Sequence, residues 1–152
     1  MDRKSCVFCT EIVANRNAAI IYEDDLTMAF MDNAPVEQGH VLVIPKSHYS
    51  NILDIPDDIY SAVHLVAKKL APAILLAMNA DALNIGQNNG RCANQRVMHY
   101  HLDVIPRKCG RQIEWMRKIL TTGELDEASQ NIRKMFDDRV DISKIKIVRN
   151  LS

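Results

Sequence analysis

The chain has 152 residues, 47% of them hydrophobic and 25% charged, which is enough for one domain with a real core and too apolar for a disordered segment. Nineteen basic residues balance nineteen acidic ones, arguing against a broad nucleic-acid footprint while leaving room for a small anion pocket. No N-terminal stretch has the layout of a secretory signal, and the longest apolar run, residues 70–78, is short for a bilayer and interrupted by Pro72. A soluble, cytoplasmic protein with no membrane partner is therefore expected.

In chain order, residues 6–14 read as a short helical turn around Cys6-Val7-Phe8-Cys9. In a reducing compartment four cysteines point to metal binding or burial rather than to a disulfide framework. Residues 20–23 and 27–31 read as strands separated by the turn signal Asp24-Asp25, and residues 39–45 as a central strand, apolar on both faces and closed by Pro45. Residues 57–78 form the best helix pattern, with Ile59, Ala62, Val63, Val66, Leu70, Ile74 and Met78 at helical spacing. Asp57 or Asp58 is the expected N-cap, and Pro72 is expected to kink or divide the helix near Leu70. A short strand over 82–86 and a polar loop over 88–94 follow. Beyond the next strand, residues 112–120 carry no clear pattern, 124–136 read as a helix with one apolar face, and 142–151 form an apolar-basic tail without assignment. The composition is even up to about Lys108. Residues 1–108 are thus read as the domain core and 109–152 as a helical extension and tail of the same domain. The class is α+β, with a mainly antiparallel sheet and one long helix.

The stretch His99-Tyr100-His101-Leu102-Asp103-Val104-Ile105-Pro106-Arg107 carries the most chemistry. On a strand, alternation sends His99, His101 and Asp103 to one face and Met98, Tyr100, Leu102 and Val104 to the other, with residues two apart separated by roughly 7 Å. A solvated strand face explains a lone histidine. Two imidazoles and a carboxylate in register also suit a titratable site.

Several blocks in order give the chain a stronger signature: Cys6-Val7-Phe8-Cys9, Ala29-Phe30-Met31-Asp32, residues 39–48 from Gly39-His40 to Ser47-His48, residues 84–90 around Gln87-Asn88-Asn89, and residues 97–107. Across residues 5–108 the chain resembles the histidine triad hydrolases, particularly their small Hint-like prokaryotic branch. The resemblance implies attack on the α-phosphate of a purine nucleotide conjugate, releasing a nucleoside monophosphate. His101 matches the nucleophile, oriented through a backbone carbonyl on its own strand, that of His99. His40 matches a further histidine near the nucleophile, a core histidine being the plainer alternative. Asp32 matches the acidic residue that holds the ribose hydroxyls, an Asx turn into Asn33-Ala34-Pro35 being its alternative. Asn88 and Gln95 match residues near the phosphates. Cys6, Cys9, His48 and His99 match a Cys2His2 zinc set of the structural kind, against the rival reading of a redox Cys-x-x-Cys. Family members are usually homodimers, and Trp115 is a candidate contributor to the partner's site. Cys92 and Cys109 have no partners by spacing.

One position departs from the resemblance. The family usually has a third histidine, or in a related transferase branch a glutamine, where this chain has Asp103. Both can donate a hydrogen bond, whereas an ionised carboxylate only accepts, and beside a phosphate it adds repulsion on the order of a few kcal/mol. Three readings stay open: a protonated general acid, selection of substrates with a cationic or amine leaving group, or a weakened enzyme that has become a nucleotide-binding module. Arg96 can offset the Asp103 charge if it turns inward. A dinucleoside polyphosphate phosphorylase is a further alternative.

Overall fold

Five strands form where apolar residues alternate or run together: β1 (Ile20–Glu23), β2 (Thr27–Met31), β3 (Val41–Pro45), β4 (Ala82–Gly86) and β5 (Leu102–Arg107). Two long helices, α1 (Asp57–Ala77) and α2 (Thr122–Asp137), complete the computed structural model, which describes residues 3–138 and Ile145. The sheet order is β1-β2-β3-β5-β4 and every neighbouring pair is antiparallel. The first three strands are a meander. α1 then carries the chain to the outer strand β4, and β5 returns between β3 and β4. This is the α+β architecture expected from the sequence.

The central strands are buried on both faces, which explains their unbroken apolar character. Ala29, Met31, Val41, Val43, Tyr100, Leu102 and Val104 meet Val63, Val66, Leu70 and Ile74 of α1 and Ala128 and Ile132 of α2 in one core. The opposite parity, Met28, Phe30, Leu42 and Ile44, packs under Cys6, Phe8, Cys9 and Ile12. Residues Phe8–Ala14 form a wide π-helical turn that lies over this second face.

Three local expectations need correction. The N-cap of α1 is Pro56, extended at ψ 148° and without a side-chain cap, while Asp57 and Asp58 sit inside the first turn, where carboxylates complement the helix dipole. Pro72 does not divide α1, which continues to Ala77. The missing N–H removes one hydrogen bond to the carbonyl of exposed Lys68, and burial of Leu70, Ala73 and Ile74 offsets it. The histidine-bearing strand pairs only from Leu102, because Val43↔Leu102 is the last ladder pair with β3; the preceding residues are held instead by Tyr100 N–H donating to the Tyr49 carbonyl at 2.6 Å.

By length and hydropathy α1 is apolar enough to cross a membrane, yet its apolar stripe is the one that builds the core on the sheet. α2 begins earlier than expected, at a capping box in which Thr121 accepts from Glu124 N–H and the Glu124 carboxylate accepts from Thr121 N–H at 2.8 Å. Between Arg107 and Thr121 no regular structure forms, and Ile113, Trp115, Met116 and Ile119 are exposed. The tail over 142–151 lies outside the described residues except Ile145, buried with Leu75 and Ala80.

Candidate functional site

Strand parity assembles the site. Continuing Met28 and Phe30 by two puts Asp32 on the face away from the helices, and stepping back from Leu42 puts His40 there too. Leu42 pairs with Asp103, so Asp103 and, two and four residues earlier, His101 and His99 share that face. Gly39 lets the chain enter β3 at this point: its φ is +86°, and a Cβ would run into the Met78 side chain.

Cys6, Cys9, His48 and His99 converge, their ligand atoms all within 4.8 Å of one another. Cys6 Sγ and Cys9 Sγ each lie 3.5 Å from His99 Nδ1, and Cys9 Sγ lies 3.5 Å from His48 Nδ1. About 3.5 Å is the S···N edge subtended at the tetrahedral angle by Zn–S bonds of about 2.3 Å and Zn–N bonds of about 2.0 Å. His99 Nε2–H donates to the Pro45 carbonyl at 2.8 Å, so Nδ1 turns its lone pair to the thiols. Burial, with the neighbouring His48, pushes the His99 ring down to about 4 and keeps it neutral. Burial, then the hydrogen bond and charge of Cys6, pushes the Cys9 thiol up to about 11, so a metal must displace the thiol proton to bind. The cluster is compatible with a metal site. Among the described residues, only a short 3-10 turn over Arg3–Ser5 precedes the Cys-x-x-Cys, unlike the strand that leads into a redox pair. Cys92 and Cys109 are exposed and do not join the cluster.

His101 Nδ1–H donates to the His99 carbonyl at 2.7 Å. A carbonyl only accepts, so the neutral ring carries its free lone pair on Nε2. Phe8 holds the ring edge-on at 5.6 Å, and also touches His99 at 5.7 Å and Phe30 at 5.5 Å. His40 is fully buried between two carboxylates. Its Nε2–H donates to Asp103 Oδ1 at 2.9 Å, while Nδ1 accepts from Val36 N–H at 3.4 Å and lies 3.4 Å from Asp32 Oδ2. The ring thus has a partner for Nδ1 whether or not that nitrogen carries a proton.

Asp32 is buried and its oxygens are engaged: Oδ1 accepts from Ala34 N–H at 3.0 Å, and Arg117 Nη1 donates to Oδ2 at 3.0 Å and to the Ala34 carbonyl at 2.9 Å. The Asx turn and the site position therefore coexist. Arg117 lies 85 residues away and has no local sequence signal; only the fold reveals it. Two cavities flank the triad strand. One, of about 700 Å³, is lined by Phe8, Phe30, Asp32, Leu42 and His101. The other, of about 480 Å³, is lined by His40, Gln87, Asn88, Asp103 and Trp115. Arg96 and Arg117 line both. Asn88 thus joins the group, whereas Gln95 does not line either cavity. Its amide donates to the Ser50 carbonyl at 2.6 Å and accepts from Gly90 N–H at 2.7 Å, closing the loop ahead of the triad strand. Trp115 stands over its own chain's second cavity, with the Arg107 guanidinium 4.9 Å above its ring.

The HIT domain model matches residues 13–110, and the chain belongs to the HIT domain family. It is 34% identical over 131 residues to an adenylylsulfatase of Arabidopsis thaliana, covering 84% of this chain and 66% of that protein. It is 38% identical over 104 residues to an adenosine 5'-monophosphoramidase of Saccharomyces cerevisiae, covering 68% of this chain and 63% of that one. A Zn-bound histidine triad family protein from Mycobacterium smegmatis superposes with a TM-score of 0.80 at 32% identity, covering 90% of this chain and 96% of that chain.

Proposed function

We propose that the chain is a Hint-like nucleotide hydrolase or nucleotidyl transferase, acting on phosphoramidate, mixed-anhydride or dinucleoside polyphosphate conjugates through a covalent nucleotidyl-His101 intermediate. The observation that carries this reading is the 2.7 Å bond from His101 Nδ1–H to the His99 carbonyl, which leaves the lone pair on Nε2 of a residue lining the larger cavity. Kinship with an adenylylsulfatase and a monophosphoramidase supports the mixed-anhydride and phosphoramidate classes.

In the first step His101 Nε2 bonds to the α-phosphorus while the bond to the leaving group breaks, its electron pair leaving with that group, which takes up a proton from solvent water. In the second, water bonds to phosphorus, the N–P pair returns to His101, and the water proton is released with the nucleoside monophosphate. Asp32 would accept from the ribose hydroxyls, in competition with Arg117, and Asn88 would lie along the phosphates. Asp103 stands where the family's third histidine is expected, and it is held by the His40 Nε2–H. Cys6, Cys9, His48 and His99 would hold Zn2+. When bound, the ion would tie the N-terminal turn to the sheet. The exposed apolar residues Ile113, Trp115, Met116 and Ile119 support a homodimer, checked by sedimentation.

The test is incubation with adenosine 5'-phosphoramidate, with intact-mass detection of an adenylyl adduct and chromatography of released AMP. Adduct and AMP in the natural chain, and neither in His101→Ala, is the expected result. A second reading, a nucleotide-binding module without turnover, is favoured by the acceptor-only Asp103 and by Arg117 occupying Asp32; AMP binding without turnover of any conjugate would establish it. Product formation that requires inorganic phosphate would instead mark a phosphorylase.

A further inference from the structure

We propose that Arg96 is the phosphate-holding and specificity-determining cation of this site, and that together with Asp103 it selects conjugates whose leaving group brings no further phosphate charge. The inference rests on the nucleotide-conjugate reading above. Arg96 follows Gln95, whose three side-chain bonds to Gly90, Ser50 and Val97 lock the loop, so the position of Arg96 is fixed although its side chain is exposed. It lines the His101 cavity and the Asp103 cavity at once. A group bridging nucleophile and leaving-group side must pass between those two cavities, which is where the scissile phosphate has to lie.

The cations at this junction differ in availability. Arg117 also lines both cavities, but its guanidinium is committed to Asp32 and the Ala34 carbonyl. Arg96 makes no hydrogen bond or ion pair among the described residues. Its donors are free for the non-bridging phosphate oxygens, and a guanidinium can meet two of them together. One guanidinium at the junction thus offsets one carboxylate in the second cavity. Beyond the scissile bond the balance changes. Asp103 faces the leaving group with an acceptor only, so an amine N–H gains a partner, while a polyphosphate adds like charges next to a carboxylate. His40 donates to Asp103 but carries no second donor toward that side.

The experiment compares the natural chain with Arg96→Gln, Arg96→Lys, Asp103→Asn and the Arg96→Gln/Asp103→Asn double variant. Asp103→Asn keeps an acceptor for His40 and removes the charge. AMP affinity is measured by calorimetry, and kcat and KM with adenosine 5'-phosphoramidate and with diadenosine tetraphosphate. Arg96→Gln should weaken AMP binding and raise KM about tenfold or more, Arg96→Lys should recover much of it, and the loss should shrink in the double variant. Asp103→Asn should shift the kcat/KM ratio toward the tetraphosphate by about tenfold. AMP affinity within twofold of the natural chain in Arg96→Gln would overturn the Arg96 assignment, whatever the turnover. An unchanged substrate ratio in Asp103→Asn would overturn the selection. If no variant and not the natural chain turns over either conjugate, the hydrolase reading and the selection fall together. Arg96-dependent AMP binding would still uphold the phosphate contact.

Discussion

Two clusters on one sheet face, joined through His99 and His101 two residues apart, are built on opposite principles. The Cys6, Cys9, His48, His99 cluster is closed: its groups face one another, the His99 imidazole is held neutral by burial, and the outer nitrogen of His99 is tied to a carbonyl. The Asp32, His40, His101, Asp103 cluster is open: it carries two carboxylates, borders two cavities, and leaves a lone pair facing space. A closed set of thiols and imidazoles suits an ion that stays, and an open set bordering two cavities suits a ligand that comes and goes. Both clusters carry two histidines, and histidines alone would not separate the two.

The contrast predicts that the first cluster governs stability and the second turnover, and the largest effect tests the first. Structural zinc supplies on the order of 10 kcal/mol of apparent binding energy in small domains, and each kcal/mol is worth roughly 2–4 °C in a chain of this size. Chelation or Cys6→Ala should therefore lower Tm by roughly 10 °C or more, followed by scanning calorimetry beside elemental analysis. Zinc-free protein with an unchanged melt would remove the metal assignment. Next, His101→Ala should reduce kcat by about 10⁴ or more while leaving Tm near that of the natural chain. A residual rate above one per cent would sink the nucleophile assignment.

Phe8 is the place to break the comparison, because its ring touches His99 of one cluster and His101 of the other. Phe8→Ala should cost about 3–5 kcal/mol in denaturant unfolding and also impair turnover, an outcome neither cluster alone would give. Asp32→Asn should act on the open cluster only. Loss of a charged acceptor raises KM by roughly 10- to 100-fold with little change in kcat, and a kcat effect without a KM effect would contradict the ribose role.

The smallest effect lies outside both clusters. Thr121→Ala removes the α2 cap at a cost of about 1 kcal/mol. The Thr121 backbone N–H, then its hydroxyl, hold the Glu124 carboxyl below 4.5. The contribution of that pair is therefore present above pH 4.5 and lost as pH falls through the lower folded value. An NMR titration of Glu124 should show this depressed midpoint, and Thr121→Ala should move it part of the way back.

The strands were legible because alternation and turn signals are local, and so was the shared face of His99, His101 and Asp103, since parity needs only the sequence. The capping box at Thr121 went unread: Thr-x-x-Glu precedes the apolar face, but it adjoins the weak pattern of residues 112–120. Other features were hidden for a physical reason. The Arg117–Asp32 bond and the His40–Asp103 bond join residues 85 and 63 positions apart, and no local spacing encodes them. The loop-closing bonds of Gln95 were hidden because an amide facing a ligand and an amide closing a loop have the same sequence. Pro72 was expected to divide its helix because propensity is local, whereas the packing of Leu70 and Ile74 that overrides it is not.

His99 has a consequence for anyone altering this chain. Its ring belongs to the thiols and its carbonyl to the nucleophile, so a side chain and a peptide group of one residue report to different masters. Position 99 is pleiotropic: no substitution there can be interpreted as purely architectural or purely chemical. A displacement of His99 is therefore passed on, since the imidazole two residues along takes its orientation from the His99 carbonyl.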